Sequence, residues 1–369
     1  MKLNFTVSTK PLVDGVNISI IDGNITRYYP KSGIVYISAG DGKLTIHHDG
    51  ESVSTSITFR GSCDDGSSAV YVDAALFKKL INTLSSDQVT FEFSQSSLVL
   101  HSGSAKYLLQ QTAAEFTPNV ISELTSDELD NSIPIDVNDW KQLKSNQLYA
   151  KSSNVRNMIY TLVYISDSGD ALVCDMDNSL LTHSSISGIG ETCMIPDGVV
   201  YMLASMQSGC LVKRDDKFIA ASVTDAYECL ASFAPIYESD DIGSYNADMI
   251  ITLLQANNDS SMLAKVSDLK KAMNQASLLS TNKNYVIKCD FTSDAILFKT
   301  STMECSIPVV NGPSEPFMLN FNPDLLGKVI FHMPSDDISI RPTYNGDTIV
   351  GITCECGFLT VTLAACERV

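Results

Sequence analysis

A weak threefold internal repeat constrains this chain more than any other feature of its sequence. Copies begin at Val70, Met194 and Leu319. Each copy reads as a short strand, a Pro, Asp or Asn near a helix start, one helix, and at least two alternating strands. Repeated units of this kind bury their apolar faces against one another. We therefore expect three domains of one topology.

A second unit of helix and strands precedes each copy of the repeat. It is clear from Ile135 and from Ala264, and poorer from Thr9, where Pro11 and Gly15 lower the helix propensity. The expected domains are 1–122, 132–238 and 246–369. Polar linkers are expected near 117–134 and 235–247, because both stretches are rich in Ser, Asp, Asn and Pro.

The spacing of apolar residues predicts a helix over 73–84 with Asp73 as its N-cap. The expected buried stripe consists of Leu76, Leu80, Ile81 and Leu84. The alternation of Val89, Phe91 and Phe93 then predicts a strand with one apolar face.

Composition excludes several classes of protein. The chain has 369 residues, of which 44% are hydrophobic, so sizeable cores can form. No run of 18 apolar residues occurs, and the first residues lack the apolar segment of a signal peptide, so a cytoplasmic protein without membrane spans is expected. The ten cysteines include no C-x-x-C pair, which favours reduced thiols and no metal or cofactor.

Charge is distributed unevenly along the chain. The net charge is −18, which by itself argues against binding to nucleic acid. However, five predicted helical segments, 73–84, 136–156, 196–207, 265–283 and 322–332, together contain eleven Lys and Arg residues and six Asp residues. Solvated helix faces often carry lysines. A repeated pattern in an acidic chain instead favours helices that gather around one positive cavity.

Three local motifs are discounted as functional sites. His47 and His48 are adjacent in a predicted strand, so their side chains point to opposite faces. The loop from Asp175 begins like a calcium loop, but Leu180 and Ile186 stand where glycine and glutamate are required. No catalytic or phosphate-binding motif is present, so we expect no enzyme activity.

Several stretches resemble the beta sliding clamps of bacterial DNA polymerase III. They are Val70–Asn119, especially its SGSAKYLLQ segment, then SSNVRNMIYTL, ALVCDMDNSLL, LKKAMNQASLL and LNFNPDLLGKVIFH. The resemblance covers nearly the whole chain, and the threefold order makes it specific. It implies an α+β fold of three clamp domains, each with antiparallel sheets outside and two helices that line a central hole. Two chains would form a homodimer ring around double-stranded DNA, which is held without regard to sequence.

The predicted DNA-facing residues combine helical lysines with two arginines placed by the resemblance. They are Arg27, Lys78, Lys79, Lys141, Lys144, Arg156, Lys270, Lys271 and Lys328.

The resemblance also implies an apolar pocket that binds short linear motifs of DNA polymerase and the clamp loader. By position, the pocket residues are Ile159, Cys174, Asp175, Leu180, Leu325, Val350, Ile352, Leu363, Ala365 and Val369. The chain departs from the family in the loop after Asp175 and at its C-terminal residues, so a different partner motif and a divergent, phage-encoded clamp are compatible with it.

Two alternatives remain open at this point. A β-rich structural or assembly protein would form larger or open-ended assemblies. A hydrolase with an unrecognised site would have one deep cleft lined by converging polar groups.

Overall fold

A computed structural model describes residues 3–21, 33–94, 96–113, 117–153, 159–175, 177, 180–239, 245–248, 250–251, 261–279 and 286–366. The chain forms two compact units. One contains Met1–Lys141 and Ile195–Ile236, and the other contains Gln142–Met194 and Tyr237–Val369. The middle third is thus shared between the units. The three domain ranges expected from the sequence stay a prediction.

The first third contains two helices and nine strands. The strands are β1 (Leu3–Ser8), β2 (Ile34–Gly40), β3 (Lys43–Asp49), β4 (Ser54–Arg60), β5 (Ser62–Cys63), β6 (Ser67–Asp73), β7 (Gln88–Phe93), β8 (Ser97–Ser102) and β9 (Ala105–Gln110). Helix α1 (Thr9–Ser19) follows β1, and helix α2 (Ala74–Ile81) follows β6.

The middle third repeats this order after a short helix, α3 (Ser126–Asp130). Its strands are β10 (Ile133–Pro134), β11 (Val163–Ile165), β12 (Asp170–Asp175), β13 (Leu180–Ser185), β14 (Cys193–Ile195), β15 (Cys210–Arg214), β16 (Lys217–Val223) and β17 (Tyr227–Phe233). Helix α4 (Val137–Asn146) follows β10, and helix α5 (Asp197–Ser205) follows β14.

The last third has the same order again. Its strands are β18 (Met262–Lys265), β19 (Ile287–Phe291), β20 (Ala295–Lys299), β21 (Glu304–Pro308), β22 (Phe317–Phe321), β23 (Asp337–Asn345), β24 (Thr348–Cys356) and β25 (Leu359–Ala364). Helix α6 (Val266–Leu279) follows β18, and helix α7 (Pro323–Phe331) follows β22. The expected α+β class with two helices in each repeat is confirmed, and α1 forms despite Pro11 and Gly15. None of the described helices is long and apolar enough to cross a membrane.

Four antiparallel sheets organise the strands. Two have eight strands, in the orders β10-β15-β16-β17-β4-β3-β2-β6 and β14-β11-β12-β13-β25-β24-β23-β18. Each of these joins four strands of one third to four strands of another. The remaining sheets are shorter, with the orders β5-β1-β7-β8-β9 and β21-β20-β19-β22. Strands β9 and β21 are therefore edge strands within the described residues.

Helix α2 begins as expected but buries a different face. Asp73 is its N-cap and accepts a hydrogen bond of 2.7 Å from the backbone N–H of Leu76. The predicted stripe was wrong at Leu76, whose side chain is 53% exposed, whereas Phe77 and Ile81 are fully buried. The sequence around Asp73 offers two overlapping apolar spacings, and packing against the sheet selects the one that buries the aromatic ring.

The first predicted linker lies against the sheet of its own unit. Thr125 and Glu128 form a capping box at the start of α3. Arg214 on β15 donates two hydrogen bonds to the Glu128 carboxylate, of 2.8 and 2.9 Å, and one of 2.6 Å to the Ser122 hydroxyl. Ile121 and Leu124 pack on an apolar cluster formed by Ile219, Ala221 and Leu230. The linker is thus a packed part of the structure.

Candidate functional site

The six longer helices carry an excess of positive charge in a strongly acidic protein. Helices α1, α2, α4, α5, α6 and α7 contain eight Lys residues, five Asp residues and neither Arg nor Glu. The whole protein has a net charge of −18. The sign contrast expected from the sequence therefore holds for the helices as the structure bounds them. Their surfaces are where a polyanion meets the least repulsion.

The predicted DNA-facing lysines lie on these helices with different exposures. Lys79, Lys141, Lys271 and Lys328 are exposed, and Lys78, Lys144 and Lys270 are half-buried. The Lys271 ammonium lies 3.6 Å from the Asp268 carboxylate on the same helix. Arg27 and Arg156 lie outside the described residues.

The positive charge is unequal among the helices. Helix α2 carries Lys78 and Lys79 with no acidic residue inside its bounds. Helix α5 carries no cation and has Asp197 in its first turn, while most of its side chains are buried. Among the described helices, a net positive charge is thus found on α2, α4 and α6.

Lys78 has a structural partner inside its own unit. Its ammonium donates a hydrogen bond to the backbone carbonyl of Ile20, the C-cap residue of α1. Beside it, the amides of Asn17 and Asn82 exchange two hydrogen bonds of 2.9 and 3.0 Å. A cation at the end of a helix stabilises the exposed carbonyl groups there. Lys78 therefore ties α1 to α2, and Lys79 is the freer of the two charges.

Six of the ten predicted partner-site residues share one face of the second eight-stranded sheet. Asp175 pairs with Leu180, Leu180 with Leu363, and Leu363 with Ile352. Directly opposite residues share a face of an antiparallel sheet, as do residues two apart along a strand. Val350 and Ala365 therefore lie on the same face, and the Ala365 N–H donates a hydrogen bond of 2.7 Å to the Val350 carbonyl.

The face has a buried floor and a partly exposed rim. Leu180 and Leu363 are each 1% exposed, whereas Val350, Ala365 and Leu325 are partly exposed. Leu325 lies on α7, which packs against β25. The backbone N–H of Cys366 donates a hydrogen bond of 2.7 Å to the carbonyl of Asn320, which holds the end of the described chain beside α7. Ile159 is buried, and Val369 lies outside the described residues.

Cys174 lies on the opposite face of the same sheet, because it directly precedes Asp175 on β12. Its thiol is buried, which raises its pKa to about 12, so the group is neutral and inert. The pairing register thus separates Cys174 from the six residues above, and we do not retain it in the partner site.

Tyr245 lies on the same face of the sheet as Cys174, and the sequence analysis did not predict it as a core residue. Its ring is fully buried, stacks on Tyr164 at 5.1 Å and meets Tyr160 edge-on at 5.6 Å. Its hydroxyl donates a hydrogen bond of 3.3 Å to the Leu172 carbonyl. The second predicted linker contains two tyrosines, Tyr237 and Tyr245, and the sequence does not distinguish the exposed one from the buried one.

Among the described residues, no group of three or more His, Cys, Asp or Glu side chains is arranged to hold a metal ion. His47 is partly buried on one face of β3, and His48 is 1% exposed on the other. The two rings do not meet at a common site.

No family model and no curated protein matches this sequence. Solved structures do match over the full chain. The DNA polymerase III beta subunit of Thermotoga maritima has a TM-score of 0.78 and 11% identity, with 100% of both chains covered. The DnaN sliding clamp of Bartonella birtlesii, solved with griselimycin bound, has a TM-score of 0.77 and 13% identity, again with 100% of both chains covered.

The beta sliding clamp of C. crescentus gives a similar result, with a TM-score of 0.74, 14% identity and 100% of both chains covered. This chain therefore has the fold of bacterial DNA polymerase III beta subunits, as the sequence resemblance predicted. At identities this low, the likeness establishes the fold alone.

Proposed function

We propose that this protein is a DNA sliding clamp, a replication processivity factor that encircles duplex DNA and tethers other proteins to it. The observation that supports this role is the excess of lysine on the helices of a beta-subunit fold whose other surfaces are acidic. Charge of this kind attracts phosphates without reading bases. The role is that of a tether and not of an enzyme, and it belongs in the cytoplasm, where such a replication factor meets DNA.

The two eight-stranded sheets suggest how a second copy closes the ring. Each consists of two half-sheets, which are the four strands contributed by one third of the chain. The half-sheets meet at a joint, where the last strand of one pairs with the last strand of the other: β4 with β17, and β13 with β25. Strands β21 and β9 are the corresponding last strands of the two shorter sheets. Pairing of β21 with β9 of a second copy completes a third long sheet of the same kind. Two such joints close a head-to-tail dimer.

Exposed leucines accompany both edge strands. Leu108 on β9 is 58% exposed, and Leu278 on α6, the helix that packs against β21, is 82% exposed. Single exposed apolar residues are common on proteins, but long unpaired strand edges are usually protected. Burial of these side chains at the joints is consistent with an obligate dimer.

The partner site would be the face formed by Asp175, Leu180, Leu363, Ile352, Val350 and Ala365, with Leu325 at its rim. An apolar floor with a partly exposed rim suits a short linear motif of DNA polymerase or the clamp loader. The residues after Asp175 and at the C-terminus differ from those of the family the chain resembles, so the motif would differ as well.

The experiment uses threading, which needs no loader. The protein is incubated with a linear duplex blocked at one end, and the other end is then blocked. A ring stays on the doubly blocked duplex through gel filtration in high salt and leaves once an end is cut. Immediate loss in salt would contradict the proposal, and large or open-ended assemblies would instead indicate a structural protein.

The charge is tested by a triple variant, Lys79→Glu, Lys271→Glu and Lys328→Glu. We expect the amount threaded at low salt to fall by about tenfold or more, because each reversal removes one phosphate attraction and adds a repulsion. The matched control reverses three exposed lysines on strands, Lys43, Lys213 and Lys217. Equal threading of the two triple variants would contradict the assignment of the helices to DNA.

A further inference from the structure

The edge strands β9 and β21 each carry a single charged side chain, and the two charges are opposite in sign. Glu304 on the edge strand β21 is exposed. On the neighbouring strand β20, the Lys299 ammonium lies 2.9 Å from the Asp290 carboxylate and 3.6 Å from the Glu304 carboxylate. On the other edge strand, β9, Lys106 is exposed and has no ion-pair partner within the part of the chain that the structure describes. The charged residue on β21 is therefore an acid, and the charged residue on β9 is a base.

The pairing of β4 with β17 inside the chain predicts the register in which β9 and β21 of two copies would pair. Pro134 lies three residues before the first residue of α4. From it, direct pairing leads across the sheet through Cys210, Ala221 and Leu230. Leu230 in turn faces Ser56 across the joint.

The same steps in the first third lead to Lys106. Thr6 lies three residues before the first residue of α1. From Thr6, direct pairing leads through Thr90 and His101 to Lys106. Lys106 thus holds the position that Leu230 holds in the middle third.

The second internal joint repeats the pattern. Leu263 lies three residues before the first residue of α6. Pairing leads from it through Ser339 and Glu355 to Thr360, and Thr360 faces His183 across the joint. The position occupied by Lys106 is therefore paired at both joints inside the chain.

For the strand on the other side of the joint, the pairing is followed from the residue that lies three positions before the second helix of the repeat. Tyr71 lies three residues before α2, and pairing leads through Tyr36 and His47 to Ser56. Asn320 lies three residues before α7, and pairing leads through Lys288 and Lys299 to Glu304. Glu304 thus holds the position of Ser56.

We propose that Lys106 of one copy stands directly opposite Glu304 of a second copy, and that this pair sets the partner and the register of the joint. The inference rests on the proposed ring and adds to it the residues that decide how the ring closes. Oppositely charged residues directly across antiparallel strands attract, and like charges repel. Pairing of β9 with β9, or of β21 with β21, brings like charges together, so only head-to-tail closure is favoured.

The first test exchanges the charges. Lys106→Glu alone and Glu304→Lys alone each place like charges at both joints of a dimer. We expect each to raise the dissociation constant of the dimer by about tenfold or more, and the double variant to return it to within about threefold of the parent value. The measurement is sedimentation over a range of protein concentrations. Lys43→Glu, an exposed lysine on β3, is the control.

The second test measures the register itself. Cys229 faces Ile57 at the internal joint, so one step along the strands places Ala105 opposite Cys305 of the second copy. We expect Ala105→Cys to give a disulfide-linked dimer on mild oxidation, and Cys305→Ser in that background to abolish it. Ser104→Cys and Lys106→Cys place the thiol on the other face and are expected to link poorly.

The outcomes separate the two proposals. If the parent protein is a dimer and neither single charge reversal changes its dissociation constant, the proposed register is wrong. The same holds if a cysteine at position 104 or 106 forms the disulfide in preference to one at 105. Neither result contradicts the proposed ring. A parent protein that stays monomeric at all concentrations overturns the ring, and the inference falls with it.

Discussion

Gly15 shows at the residue scale why a poor helix sequence still forms α1. A Cβ atom at this position would lie 2.4 Å from the Ile57 Cδ1 atom and 2.6 Å from the Phe59 Cζ atom. Glycine lowers helix propensity, but here it lets the helix approach β4 closely. Pro11 lies in the first turn, where its missing N–H costs little. The residues that weaken the helix in isolation are thus compatible with its packing.

We expect Gly15→Ala to destabilise the protein by about 1–3 kcal/mol, because the added methyl group forces side chains of a packed core to move. The matched control is Gly327→Ala in α7, where the nearest atom to an added Cβ is 3.5 Å away. That change should be neutral or stabilise by about 0.5–1 kcal/mol, since alanine is the better helix former. Urea unfolding measures both, and equal effects would contradict the close approach of α1.

Arg214 and Glu128 form the second contact to test at this scale. The Arg214 guanidinium and the Thr125 backbone N–H hold the pKa of the Glu128 carboxyl at about 2, below its ordinary value of 4.5. A depressed carboxyl pKa contributes stability above the unfolded-state pKa, and this contribution is lost as pH falls from about 4.5 through 2.

Glu128→Gln should therefore increase hydrogen exchange at residues 122–130 at neutral pH and remove the acid-induced part of that exchange. The comparison is between the parent and the variant across pH 2–6, with Glu123→Gln on the same segment as the control. A parent segment whose protection is the same at pH 2 and pH 6 would show that the carboxylate does not hold the linker.

At the scale of elements, the distribution of charge distinguishes the helices from the strands. Each of α2, α4 and α6 carries one exposed and one half-buried lysine, while the strands and loops carry most of the acidic residues. The edge strands are the other distinctive elements, because β9 and β21 are the last strands of half-sheets whose counterparts are paired inside the chain. Both features point to functions performed between molecules.

We expect Leu278→Asp to weaken the dimer by about tenfold or more, because the charge would have to be buried at each joint. Leu129→Asp is the control, since Leu129 is 48% exposed on α3 and lies on neither edge strand. Sedimentation equilibrium measures both. An unchanged dimer for Leu278→Asp would place the joint elsewhere.

At the scale of the whole molecule, topology and not contact affinity would keep the protein on DNA. Retention on a closed duplex should then depend little on salt, whereas association with open DNA should weaken steeply as salt rises. The measurement is the fraction retained on a nicked circle, assembled through the Ala105→Cys disulfide, before and after linearisation. Loss from the intact circle at high salt would contradict encirclement.

Element order was determined by the sequence alone, because helix starts and strand alternation are local properties. Asp73 caps α2 as the short-range pattern predicts. The lysines were also identified from the sequence, since helical spacing shows which segments carry them. Which face of α2 is buried, by contrast, could not be predicted from local spacing. Two apolar spacings were possible, and packing against the sheet decided between them.

Only the tertiary structure decided which residues share a face or an edge. The separation of Cys174 from Leu180 follows from strand register, and a shift of one residue would reverse it. The burial of Tyr245 and the position of β9 and β21 at the edges of their sheets likewise depend on contacts between residues far apart in the chain. Long-range strand pairing determines these features, because neither residue propensity nor local spacing indicates which distant strand a residue pairs with.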